Sequence, residues 1–239
     1  MNRQEKPQSP NLVSFSDPEG TLTVVKQAVL ELWGVINALT SLRPPKRERF
    51  RVTIFGSARI QSDSPIYQDV KWLASKLTKM QCDIVTGGGP GLMAAANEGS
   101  VAADPQDQTR SIGIRIDLDS EQETNPFVEE VFRHRTFFSR LHQFVLISNA
   151  FIIVPGGIGT TLEALMVWQL LQVRHLEPIP LIMIGPMWGD LVAWATQYMI
   201  QGETLLADPS DLTIPHCVDT VQEAIEIIEK AQNQWLMND

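Results

Sequence analysis

Cysteine is scarce. Cys82 and Cys217 are the only two in 239 residues, and neither sits in a CxxC or Cys/His spacing. That excludes a disulfide framework and a cysteine-built zinc site, and both are read as reduced, mostly buried thiols. The four histidines show no HxxxH or HxH spacing, so no metal is expected. No apolar run reaches the roughly 18 residues a membrane span needs, and the polar start "MNRQEKPQSPNLVSFSDPEG" has no signal-peptide core. The expectation is a cytoplasmic protein with no membrane partner. Positive charge is also short: 19 Lys and Arg stand against 28 Asp and Glu, a net charge of -9. That argues against nucleic-acid polymers and anionic membrane surfaces. It leaves room for a small anion, because a few local donors can outweigh the field of the whole chain.

Apolar residues make up 44% and charged residues 20%, enough for a core without staples. Residues 1–19 read as a flexible arm, 20–48 as a helix and linker, and 49–239 as a single domain. In the helix, Leu22, Val25, Ala28, Val29, Leu32, Ile36 and Leu39 recur at helical spacing, which suits packing outside a core or at a subunit interface. From residue 51 short apolar runs alternate with amphipathic segments. "RVTIF", "CDIVT", "SIGIRI", "VEEVFRHRTF", "AFIIV", "IPLIMIG" and "LTIPHCV" read as strands, with helices between them and at the end; one helix spans "WGDLVAWATQYMI". This order predicts an α/β fold: a Rossmann-like, doubly wound, mainly parallel sheet with helices on both faces. Ligands in such sheets bind at the carboxyl ends of the strands.

Three loops at that edge are unusual: "FGSAR" (55–59), "TGGGPGLM" (86–93) and "PGGIGTTLE" (155–163). Glycine admits close approach of a ligand to the backbone, and a helix N-terminus beyond it offers N–H groups and partial positive charge to a phosphate. Gly156, Gly157, Gly159 and Thr160 meet that description, and "GGGPG" does so again, with Pro90 suited to a first helical turn. No Walker lysine is present, and "GGGPGL" lacks the third glycine of a dinucleotide fingerprint.

Glu163 has two readings. Thr160 to Glu163 has the spacing of a capping box. Alternatively, its carboxylate stands one turn above a bound phosphate, where the ribose of a mononucleotide would lie. Upstream, "FRHRTFFSRLHQF" concentrates Arg133, Arg135, Arg140, His134 and His142 in an acidic chain, which points to an anion site. Arg133 and Arg135 also fit the solvent-facing end of an edge strand. Arg140 lies among apolar neighbours and is harder to dismiss.

"GGGPGLMAAANEG" (87–99), Arg140 placed 15 positions before Pro155, and "PGGIGTTLE" together resemble the Lonely Guy family, often labelled lysine decarboxylase-like. Pro155 to Glu163 matches all fixed positions of that family's PGGxGTxxE motif, and the resemblance covers about residues 50–235. It implies cleavage of the N-glycosidic bond of a nucleoside 5′-monophosphate, such as AMP or a cytokinin riboside monophosphate. The products would be free base and ribose 5-phosphate, formed by a homodimer that needs no cofactor. By the same resemblance Arg140 and Glu163 form the catalytic pair, and Gly156, Gly157, Gly159 and Thr160 hold the phosphate. Gly89, Gly91 and Met93 line the nucleotide pocket; Gly56, Ser57 and Gly88 complete the candidate binding set. The chain departs from plant-like members in having Leu141 where a lysine follows the arginine, Phe137 and Phe144 where they carry methionine, and Asn149 for aspartate. Those departures bear on cytokinin specificity more than on hydrolysis. A rival reading is a binding protein for a phosphorylated ligand, as in molybdenum-cofactor carriers, and another is a nucleotide sensor. The decarboxylase label finds no lysine near the glycine loops that could carry pyridoxal phosphate.

Overall fold

The computed structural model describes residues 17–39, 48–117 and 123–237. Most of the expected arm, the end of the first helix at 40–42 and the start of the linker lie outside them. The chain divides into two compact units, Met1–Lys46 and Arg47–Asp239. In the first, helix α1 (Pro18–Leu39) has its N-terminal N–H groups met by Asp17, whose side chain accepts from Gly20 and whose carbonyl accepts from Thr21. Leu22, Val25, Val29 and Leu32 stand exposed on it.

The second unit alternates strand and helix. β1 (Arg51–Phe55), β2 (Asp83–Thr86), β3 (Ser111–Ile116), β4 (Glu130–His134), β5 (Ala150–Ile153), β6 (Leu181–Ile184) and β7 (Pro215–Val218) form one sheet in the order β4-β3-β2-β1-β5-β6-β7. Every pairing is parallel. The intervening helices are α2 (Pro65–Lys79), α3 (Leu92–Ala103), α4 (Phe137–Ile147), α5 (Ile158–Gln172), α6 (Pro186–Ala195) and α7 (Val221–Met237).

Side-chain alternation divides the strand residues between two cores. Val52, Ile54, Ile152 and Ile182 pack with α2, α3 and α7, whereas Phe55, Phe151, Ile153 and Met183 pack with α4, α5 and α6. Both faces are therefore covered, which is why the strands read as unbroken apolar runs. At the amino end of the sheet, buried Asp83 accepts from Arg49 (2.7 Å), Arg51 (3.0 Å) and the Arg110 N–H (3.0 Å). Asn149 lies at this same end, where its Oδ1 accepts from the Arg51 N–H. Its departure from the family pattern thus concerns strand pairing and not the glycine loops.

Three details differ from the sequence expectation. Helix α6 ends at Ala195, and Thr196–Ile200 continues as a π turn. Pro90 lies outside α3, whose N-cap is Gly91 at φ +67°; a left-handed cap displaces the proline from the first turn. Cys217 is exposed, because β7 is an edge strand, while Cys82 is buried with its thiol pushed up to about 12 by desolvation.

Helices α2 and α3 approach so closely that a Cβ on Gly99 would collide with the Lys71 carbonyl oxygen. Gly99→Ala should therefore destabilise the protein by about 2 kcal/mol through overpacking. The same change in an open helix stabilises by up to ~1 kcal/mol. The shift in urea midpoint checks the sign.

Candidate functional site

The strand order reverses between β1 and β5, which run parallel with Thr53 beside Phe151 and Phe55 beside Ile153. β1 continues towards α2 on one face and β5 towards α5 on the other, so their carboxyl ends part and leave a crevice. All three glycine-rich loops end there. Two backbone hydrogen bonds tie them together: the Ser57 N–H donates to the Pro155 carbonyl (3.1 Å), and the Leu92 N–H donates to the Ser57 carbonyl (2.8 Å). Glycine is needed where this convergence is tightest. A Cβ on Gly91 would strike the Ser57 carbonyl oxygen, and one on Gly56 would lie 2.5 Å from Val154 Cγ2 and 2.9 Å from Leu92 Cβ.

The loop after β5 differs from its sequence reading. Helix α5 begins at Ile158 with Gly157 as N-cap, so Gly159 and Thr160 belong to its first turn. Gly157 makes no side-chain cap, and the capping box that the spacing of Thr160 and Glu163 allows does not form. The Thr160 hydroxyl instead lies against Gly156. The first helical bond is Thr161 N–H to the Gly157 carbonyl (2.9 Å), and the N–H groups of the preceding turn point out of the helix. Cβ atoms on Gly157 and Gly159 would meet nothing within 4 Å. The helix thus opens onto free space, with its positive end towards the crevice.

Glu163, free of any capping duty, meets Arg140 from α4. Arg140 Nη1 donates to Glu163 Oε1 at 2.8 Å, and each side chain is only 12% exposed. Arg140 is held on two further sides: Nε donates to the Ile114 carbonyl (2.9 Å), and the guanidinium lies 5.1 Å from the centre of the buried Phe144 ring. Burial pushes the Glu163 carboxyl above its ordinary range, and the charge and hydrogen bond of Arg140 pull the other way without cancelling it.

The loop after β2 packs against this pair. A Cβ on Gly87 would stand 2.7 Å from Arg140 Nη2 and from Met93 Sδ, and one on Gly89 would stand 2.8 Å from Met93 Cε. Met93 therefore covers the loop as a flexible apolar lid. On the opposite side, a Cβ on Gly88 would lie 2.9 Å from Cδ of the buried Arg115. Arg140, Glu163, Gly87, Met93 and the three loops are thus one assembly. Arg133 is not part of it: it pairs with Asp117 at 3.3 Å on the exposed edge of the sheet. His142 is shifted down by burial and by nearby His175, which places it towards a different neighbour. His134 lies nearer the pair; burial and the Arg140 charge both lower it.

The sequence reading passed over the polar residues beneath the loop. Thr86 Oγ1 accepts from the Gly88 N–H (2.9 Å) and donates to Asn97 Oδ1 (2.7 Å). Asn97 donates to Ser111 Oγ (2.9 Å), while Asn125 Nδ2 bridges the Gly89 carbonyl (2.9 Å) and Asn97 Oδ1 (3.0 Å). The Asn125 N–H also donates to the Gly88 carbonyl (3.0 Å). Asn97 was detectable as a poor helix former at the centre of an alanine-rich helix. Asn125 carried no such signal. Asn97→Ala should cost about 2 kcal/mol by leaving buried partners unsatisfied, read as a lowered urea midpoint with unchanged slope.

Among the described residues no group of three or more His, Cys, Asp or Glu is placed to hold a metal ion. Among them, too, no helix is long and apolar enough to cross a membrane.

Residues 93–228 match the model of a family described as possible lysine decarboxylase. Over 141 residues the chain is 30% identical to a pyrimidine/purine nucleotide 5′-monophosphate nucleosidase of Escherichia coli K12, a match covering 56% of this chain and 31% of that protein. The chain therefore matches only about a third of the length of this curated relative. Among solved structures, the molybdenum cofactor binding protein of Rippkaea orientalis has a TM-score of 0.58 at 17% identity, covering 77% of this chain and 98% of that one. The molybdenum cofactor carrier protein of Chlamydomonas reinhardtii has 0.56 at 18%, covering 77% and 98%. A structural genomics target has 0.56 at 23%, covering 76% and 99%. At these identities the likeness is one of fold.

Proposed function

This chain belongs to the family described as possible lysine decarboxylase, the Lonely Guy family, and from that premise we propose that it hydrolyses the N-glycosidic bond of nucleoside 5′-monophosphates such as AMP. The observation that carries the reading is the buried Arg140–Glu163 pair at the mouth of a glycine-lined helix N-terminus. The E. coli relative's name, a nucleotide 5′-monophosphate nucleosidase, supports the same reaction class. The decarboxylase in the family's description does not suit these residues. Lys71 is engaged by Glu98 at 2.7 Å, and Lys76 lies 5.2 Å over the Trp72 ring on the outer side of α2. Neither can serve as a Schiff-base lysine at the glycine loops.

In the proposed mechanism the 5′-phosphate lies at Gly156 and Gly157, where it meets outward N–H groups and the positive end of α5. The ribose then reaches Glu163, one turn further along. As the bond from C1′ to the base nitrogen breaks, positive charge grows on the sugar. The Glu163 carboxylate stabilises that charge and orients the water that adds to C1′. The water's oxygen ends on C1′, and the base leaves with the bonding electrons and takes up a proton. Arg140 has N–H groups beyond those given to Ile114 and Glu163, and these fit phosphate or ribose oxygens.

Substitution, pH dependence and a substrate panel test the proposal. Glu163→Gln keeps an acceptor for Arg140 and removes the charge. Adenine release from AMP should fall roughly 10²-fold or more, with AMP binding retained; an active variant would sink the assignment. The chemistry needs the ionised carboxylate, and burial raises its pKa above the ordinary glutamate value. The rate should therefore climb with pH through that raised value. Stability runs the other way: the folded chain binds this proton more tightly than the unfolded one, so the contribution is lost as pH rises through the same window. Arg140→Ala removes both influences that lower the pKa, and should move the acidic limb of kcat/KM to higher pH. If no nucleoside monophosphate in a panel releases base, the carrier reading replaces the hydrolase.

A further inference from the structure

The sheet's carboxyl edge carries an exposed aromatic group that the proposed mechanism does not use. Phe137 is the first residue of α4 and is 52% exposed; Ile158, the first residue of α5, is also exposed, but it is not aromatic. Its place is fixed from behind: Thr136 caps the helix by accepting the Ser139 N–H at 3.1 Å. Arg140 follows three residues later and Phe144 four after that, so Phe137, Arg140 and Phe144 share one face of the helix. At the inner end of this stripe Phe144 is fully buried under the Arg140 guanidinium. At the outer end Phe137 offers the same kind of ring to open space, one turn beyond the residue that grips Glu163.

We propose that Phe137 is the platform on which the base of the nucleotide stacks, making it a specificity residue for a flat aromatic leaving group. The inference rests on the hydrolase reading for the placement of the sugar. With the phosphate at α5 and C1′ at Glu163, the base must leave the ribose on the side away from Gly157. Arg140 brings the N-terminal turns of α4 to Glu163, so these turns are the surface a base leaving the ribose would reach. Every nucleobase has a π face, and stacking on an aromatic ring tolerates both purine and pyrimidine. An exposed ring in the first helical turn also meets the base without moving Arg140. Phe138 is still more exposed, at 75%, but the helix turns it about 100° away from the Arg140 face. It is the internal control.

Calorimetric binding of AMP and of ribose 5-phosphate to the full chain separates the contributions. Phe137→Ala should weaken AMP binding about tenfold, the size of a lost base–aromatic stack, and leave ribose 5-phosphate binding unchanged. Phe137→Trp should restore AMP binding, and Phe138→Ala should bind both ligands as the parent does. Equal AMP affinity in Phe137→Ala overturns the proposal. So does parallel loss of ribose 5-phosphate binding, which would mean that Phe137 acts by supporting Arg140. A fall in particle mass for Phe137→Ala in light scattering also overturns it, since the ring would then belong to an interface between copies. A parent chain that binds AMP but releases no adenine defeats the hydrolase reading alone and leaves the stacking result standing. A parent chain that does not bind AMP defeats both.

Discussion

A carboxylate taken out of water must be met by charge and hydrogen bonds, and Glu163 is the place where this chain accepts that demand. Its partner Arg140 comes from a different helix and is itself pinned by a strand carbonyl at Ile114 and an aromatic ring at Phe144. The ion pair therefore fixes α4, α5 and β3 relative to one another. The glycines at 87 and 89 leave room for Arg140 and Met93 where any side chain would intrude. Stabilisation by a buried pair is a weak argument on its own, because desolvation offsets most of the attraction. Its value here is geometric: the carboxylate is held at one point beside the open end of α5.

Much of this was legible in the sequence, for physical reasons that differ by element. Strands covered on both faces must be apolar throughout, so "AFIIV" and "LIMI" could hardly be read otherwise. The crevice followed from the alternation of strand and helix, since a doubly wound sheet offers one edge for ligands. Arg140 and Glu163 could be nominated together only through a family motif. Spacing alone gave Glu163 an equally good role as a cap. The structure removes the cap reading through the position of the helix start. With Gly157 as N-cap, Thr160 is already inside α5, and a capping box on Thr160 is geometrically unavailable.

Other features were illegible because they depend on contacts between distant segments. Thr86, Asn97, Ser111 and Asn125 form one buried network between positions 86 and 125, and apart from Asn97, a polar residue amid alanines, none of them carries a sequence signal. Pro90 was misplaced because a left-handed glycine cap cannot be distinguished by sequence from a proline-led first turn. The exposure of Cys217 follows from β7 lying at the sheet's edge, which is a property of strand order and not of "PHCV" itself.

The Ser57 peptide has a further consequence. Its N–H is bound to the Pro155 carbonyl and its carbonyl to the Leu92 N–H, so three segments separated by up to about 100 residues meet at one residue. No fragment holding only the first half of the sheet can assemble this junction. The crevice therefore cannot form until the long loop between β1 and β5 has closed. The Ser57 amide should exchange its hydrogen with solvent only when β1 and β5 part, which makes that single proton a reporter of when the protein is competent to bind.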